Sequence, residues 1–296
     1  AMASAASAQT GVSDDRVSLP EGPGSLEGVG ENVEMDPNMG SMTYRVSVEV
    51  PSGFAGVTPG LDLSYNSGGS ASVVGMGWSM SMPSIERMTY RGLPEYDGDD
   101  DFAADGGMQL VRLPGTNPPV YRARYEKGFV RYTWLEAGDG SEGYWLAEYP
   151  DGSKAYFGAD ADGNTETDAR EGSVEGTFRY HLVEKVDVYG HRMVYQYERS
   201  GKKSYVSQIS YVFGDDDTPT YQVRFDYEDR SDETGQDYVS DGAPGFELVL
   251  DQRLRQINVI SRGIRIRRYL LSYSPYADSD GFTRLAKVER FGLEDG

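Results

Sequence analysis

The feature that most constrains this 296-residue chain is a two-residue alternation of apolar and polar side chains, recurring in short runs. In Tyr221-Gln222-Val223-Arg224-Phe225-Asp226-Tyr227-Glu228 every apolar residue is followed by a polar one. Successive side chains of a strand point to opposite faces, so such a run buries one face and wets the other. Tyr205, Ser207, Ile209, Tyr211 and Phe213 form a matching series, and Gly214-Asp215-Asp216-Asp217-Thr218-Pro219 between the two is turn chemistry. The pair reads as a hairpin. A second hairpin is centred on Tyr189-Gly190-His191, with arms 178–188 and 192–198. A third joins 248–260 to 264–273 through Ser261-Arg262-Gly263. Residues 121–125 with 129–135, and 144–149 with 154–157, complete the set. The pattern predicts about fifteen strands and no helix: an all-β fold, antiparallel and hairpin-rich, built as an extended or wound sheet. A compact, edge-free closed barrel would contradict that architecture.

Composition agrees. The chain carries 22 Tyr, which suit a pleated, half-buried surface, and 37 Gly and 14 Pro without period, which cut it into short pieces. The segments Asp151–Gly158 and Asp187–Tyr195 share a look, a turn opened by aspartate followed by aromatic residues, as stacked hairpin units would. A shared turn preference explains the likeness equally well.

A formal charge of −20 repels phosphate backbones and anionic membrane surfaces, so neither nucleic-acid binding nor direct membrane insertion is expected. No apolar run approaches the roughly 20 residues of a membrane-spanning helix. With no cysteine, the chain has no disulfide framework, thiol nucleophile or zinc–thiolate site. Residues 1–40 lack aromatics and read as a flexible N-terminal arm that opens on a cloning scar. Within it Ala5-Ala6-Ser7-Ala8 is like the tail of a signal peptide, though no apolar core precedes it. Residues 41–296 read as one all-β domain, the N-terminal piece of a larger protein.

The densest local signal runs from Tyr44 to Arg87. It contains Val50-Pro51-Ser52-Gly53-Phe54-Ala55-Gly56-Val57-Thr58-Pro59-Gly60-Leu61-Asp62-Leu63-Ser64-Tyr65-Asn66-Ser67-Gly68, then Gly75-Met76-Gly77-Trp78-Ser79, then Ile85-Glu86-Arg87. Physically this is strand, proline-glycine turn, strand, glycine loop, strand. Pro51 and Pro59 cannot donate to a ladder and belong at strand ends. Gly75 and Gly77 permit a close approach that seats Trp78 on the sheet. This arrangement resembles the start of the SpvB N-terminal domain, which also opens the insecticidal toxin-complex B components, relatives of the Rhs/YD-repeat-associated shell proteins. Thinner echoes follow at 144–158, 180–197 and 267–273; Met80 and Met82 stand where aliphatic residues are more usual. The resemblance implies a structural, non-catalytic role: part of a β-sheet shell that encapsulates or presents a toxic effector, in a secreted bacterial protein. The implied partners are the remainder of its own chain and other toxin-complex components, the isolated fragment being monomeric.

No catalytic or cofactor-binding residue emerges. Arginine-directed ADP-ribosyl transfer, which the resemblance brings to mind, needs a Ser-Thr-Ser segment and a Glu-x-Glu pair. Gln196-Tyr197-Glu198 imitates the second, and the first is missing. No G-x-S-x-G elbow is present, and His181 and His191 read as solvated strand or turn residues. The one candidate metal site is a calcium loop. Asp160, Asp162, Asn164, Glu166 and Asp168 place oxygen ligands at alternate positions, with Glu171 twelfth, although Thr165 stands where an EF-hand needs glycine. A solvated acidic turn is the plainer reading. The rival function is a secreted carbohydrate-binding or adhesive β module, calcium-stabilised, using Trp134 and Trp145 as stacking surfaces, although an aromatic on a strand is more often packing.

Overall fold

The structure, a computed structural model, describes residues 34–35, 41–54, 56–138, 140–230, 237–274 and 282–293. Of the segment read as a flexible arm, Glu34–Met35 pairs with Met42–Ser47; the rest, including Ala5–Ala8, lies outside the described residues. Among the described residues there are 23 strands, all antiparallel to their neighbours, and one 3-10 turn at Thr167–Ala169. Several of these strands are two or three residues long, too short to show a period, which is why the alternation alone foretold fewer.

Seven strands follow one another as a meander: Ser84–Arg87, Phe102–Ala104, Met108–Arg112, Val120–Ala123, Arg131–Leu135, Tyr144–Glu148 and Lys154–Phe157. The strand Gly176–Val186 pairs with the first at residues 179–181 and with the last at residues 182–186, closing a ring of eight. Side chains from every wall fill its interior, among them Ile85, Leu110, Tyr132, Ala147, Ala155 and Tyr180, each at most 2% exposed. Closure on this scale leaves room for little more than packed side chains.

The sheet does not stop at the ring. From Gly176–Val186 it continues through Arg192–Ser200, Lys203–Phe213, Pro219–Asp229, Gln252–Ser261, Ile264–Ser274 and Arg284–Phe291. Three of the hairpins read from the alternation are here and two, 121–125 with 129–135 and 144–149 with 154–157, are in the ring, with one difference. Leu248–Leu250 is a separate strand paired with Val239–Asp241, so the arm of the third hairpin starts at Gln252. The ring is thus only half of the fold, and the other half keeps an edge. One face of this open half is covered by the sheet of Met42–Ser47, Asp62–Asn66 and Trp78–Ser79, whose Leu63 joins Val48, Val57 and Leu61 in the core with Ile209, Val223 and Leu271. Trp78 sits in register with Tyr65, its ring 5.4 Å away and 5.9 Å from Tyr44. Gly77, at φ +77°, lies so near Tyr65 that a Cβ would meet the ring at 2.7 Å, as the close-approach reading requires.

A unit recurs across the open half. The register slips between Gln196 and Tyr197, between Asp226 and Tyr227, and between Ser272 and Tyr273, leaving Ser207, Arg255 and Ala286 as extra residues in the facing strands. In each case the tyrosine reaches the strand on its other side and donates its hydroxyl to a backbone carbonyl: Leu182, Val206 and Leu254 respectively. A bulge leaves ladder groups unpaired and adds twist; the tyrosine fills the gap with its ring and satisfies a carbonyl with its tip. Tyr227→Phe keeps the ring and removes that hydroxyl, and is expected to lower unfolding stability by about 1–2 kcal/mol. Tyr189→Phe, at a residue 82% exposed, should leave the urea midpoint unchanged. Equal midpoints for the two variants would contradict the role assigned to the hydroxyl.

Candidate functional site

The acidic loop is folded by its own hydrogen bonds. The Asp160 carboxylate accepts the backbone N–H groups of Asp162 (3.0 Å) and Asn164 (2.8 Å) and the Asn164 side-chain amide (2.8 Å). Its carbonyl accepts the N–H of Gly163, whose φ of +83° makes the tight turn. Glu166 is crowded: burial first, then the charges of Asp160 and Asp168, push its carboxyl above the ordinary value. Asp168 lies in the 3-10 turn Thr167–Ala169. Glu171 points elsewhere, into an ion cluster of its own. Among the described residues no group of three or more His, Asp or Glu side chains is placed to hold a metal ion. The oxygen spacing that suggested calcium is satisfied here by an aspartate-anchored turn.

That ion cluster is buried, and the register creates it. Arg179 is opposite Glu86 on one side and Glu171 on the other, and its guanidinium bonds both carboxylates at 2.6 Å. Glu171, 0% exposed, also accepts from Lys203 Nζ at 2.8 Å and from the Ser204 N–H at 3.2 Å. His181 Nε2 lies 3.3 Å from the same carboxylate, an ion-pair distance that lacks hydrogen-bond geometry, and its ring stacks on Tyr197 at 5.2 Å. His181 is therefore buried, against the expectation of a solvated residue. Its strand is covered on both faces, so alternation no longer marks an exposed side. Arg179, His181 and Lys203 form one wall of a cavity of about 440 Å³, with Met82, Val206 and Leu250 among its apolar residues. His191 is half-buried, stacked on Phe54 at 3.8 Å with Nδ1 2.8 Å from Asp187. Gln196-Tyr197-Glu198 is strand alternation, Tyr197 buried between two exposed neighbours. Trp145 is fully buried, not a surface platform, and Trp134 is its cross-strand partner.

Burial alone would raise the Glu171 carboxyl; Lys203, then Arg179 and His181, overcome it and hold it well below the usual carboxylate range. For His181 burial is the largest effect and lowers the imidazole from its ordinary 6.5, with Glu171 acting in the opposite sense. Both groups make the fold acid-sensitive. Below pH 6.5 the unfolded chain protonates its histidine while the folded one resists, so stability falls as the pH drops. The Glu171 contribution is present above its ordinary 4.5 and is lost as the pH falls through the lower folded value. His181→Gln is therefore expected to flatten the loss of stability between about pH 7 and 5, read as urea midpoints. Glu171→Gln, which takes the carboxylate from Lys203 and leaves Arg179 only Glu86, should cost about 3–5 kcal/mol at neutral pH. An unchanged pH slope in the first variant would show that His181 does not titrate on unfolding.

Comparison with known proteins agrees with this architecture. Residues 36–258 match the family described as SpvB, Salmonella virulence plasmid 65kDa B protein. The mono(ADP-ribosyl)transferase SpvB of Salmonella choleraesuis (strain SC-B67) is 29% identical over 150 residues, 44% of this chain and 24% of that protein. The chain thus spans about a quarter of the length of the curated relatives it matches. Among solved structures, TcdB2-TccC3 superposes with a TM-score of 0.77 at 24% identity, over 96% of this chain and 17% of that one. The N-terminal domain of effector protein SpvB from Salmonella typhimurium strain LT2 gives 0.70 at 23% identity, over 84% of this chain and 99% of that one. The Photorhabdus luminescens Tc holotoxin pore gives 0.73 at 23%, over 94% and 16%. At these identities the structural likeness is one of fold, while the sequence match covers three quarters of the chain: this chain belongs to the SpvB family.

Proposed function

We propose that the chain is a structural, non-catalytic module of a secreted bacterial toxin-related protein, forming part of a β-sheet shell that encloses or presents a toxic effector. The observation that carries this reading is the repeated bulge–tyrosine unit of the open half, which ends in an edge strand. Arg284–Phe291 is bonded to Ile264–Ser274 on one side and has no strand partner on the other among the described residues. Each unit adds to the edge of the last and reaches back to it with its tyrosine, the construction principle of a wall that grows in one direction. The edge is guarded by charge, with Lys287 and Glu289 paired on the same strand, as solvent-facing edges require. The fold shared with a toxin-complex component and with the N-terminal domain of an effector supports the same reading. Its partners are then further segments of its own polypeptide and other toxin-complex components.

The reading has a direct test in amide hydrogen exchange. In the isolated chain the outward N–H groups of residues 286–291 are expected to exchange fast, because no described residue accepts from them. In the full-length product of the same gene they should be protected, by the next strand of the wall. Fast exchange in both would refute shell continuation from this edge. The isolated chain is also expected to hydrolyse no nicotinamide dinucleotide; turnover by it would refute the non-catalytic reading.

A further inference from the structure

The eight-stranded ring has a mouth. Its strands alternate in direction, so Arg87, Arg112 and Leu135 end strands at the same rim where Phe102, Val120 and Tyr144 begin them. A cavity of about 790 Å³ opens at that rim. The interior is filled by side chains, but the mouths of barrels are favoured sites for a small ligand.

The lining is aromatic. Phe102, Tyr121 and Trp134 set their rings edge-on to Trp145 at 4.9, 5.0 and 5.2 Å. Among the described residues the buried indole N–H of Trp145 has no acceptor, although a buried tryptophan ordinarily gives that proton to a partner. Tyr96 stands at the rim in a left-handed conformation, φ +59°, fixed by its N–H to Asp100 (2.8 Å) and its hydroxyl to the Pro244 carbonyl (2.6 Å). Arg87 is committed to the wall: it bonds Asp100, Glu142 and the Thr177 carbonyl and lies 5.0 Å from the ring centres of Tyr96 and Phe102.

Two charged side chains at the mouth are uncommitted. Arg112 and Glu136 are exposed, line the cavity, and make no side-chain hydrogen bond or ion pair with any described residue. A cation and an anion at one mouth leave no net charge to favour either sign, and each needs a partner of the opposite hydrogen-bonding sense. They suit an uncharged molecule, apolar on one face and ringed by groups that both donate and accept. Hydroxyls do both, and a pyranose carries them around an apolar ring face.

We propose that this mouth binds a short neutral saccharide, seated against the half-buried Trp134 ring, with Arg112 and Glu136 holding its hydroxyls. The site is independent of the shell reading, which uses the opposite half of the fold, so either can fail without the other.

The test is calorimetric titration of the whole chain with maltose, cellobiose and diacetylchitobiose, with tryptophan fluorescence as a second readout. At least one should saturate and change the emission. Arg112→Ala and Glu136→Ala, both at exposed positions, should leave the melting temperature unchanged and each weaken binding about tenfold, the loss of one charge-assisted hydrogen bond. Saturation by none of the three, undiminished binding in both variants, or preference for glucuronic acid over the neutral sugars would each overturn the proposal.

Discussion

Both edges of the strand Gly176–Val186 are hydrogen-bonded, and to four different partners. Residues 179 and 180 lie between Ser84–Arg87 and Arg170–Ser173; residues 184–186 lie between Lys154–Phe157 and Arg192–Ser200. A buried strand has to satisfy every backbone group, and this one does so by changing neighbours midway. That exchange is what lets one sheet close into a ring and still continue outward. It also fixes the electrostatics, because a strand shared by so many neighbours brings Arg179 between two carboxylates and draws His181 out of water.

Tyrosine is the material from which the rest is made. Beyond the three bulge positions, Tyr211 donates to the Pro51 carbonyl and Tyr269 accepts the Glu49 N–H, stitching the covering segment to the open sheet. Tyr205 bonds Asp251. Burial, the leading cause, raises the phenols of Tyr197, Tyr211 and Tyr227, so they remain protonated and available as donors throughout the physiological range. A side chain with an apolar body and a polar tip does two jobs that would otherwise need a core residue and a separate cap.

Much of this was legible in the residues. Alternation located the hairpins from 121 to 273 because each is local, its two arms joined by a turn whose chemistry is written beside them. The glycine-flanked Trp78 was legible for the same reason. Ring closure was not, since it rests on Ser84–Arg87 meeting a strand more than ninety residues downstream, and no local pattern encodes that register. The burial of Glu171 and His181 was hidden by the same non-local pairing. The acidic loop supports two readings in sequence, because oxygen atoms at alternate positions are what a cation needs and equally what an aspartate-anchored turn produces. The mouth of the ring, assembled from six strand ends, has no signature shorter than the whole ring.

The bulges facing Tyr197, Tyr227 and Tyr273 fall in every second strand and at nearly the same height across the sheet. Each adds right-handed twist, so bending arrives in steps, one per pair of strands, and not as a property of the sheet's overall length. A polypeptide that obeyed this rule over many more pairs would arc at constant radius. Its enclosed volume would then follow from counting hairpins, with no interior scaffold to wrap around.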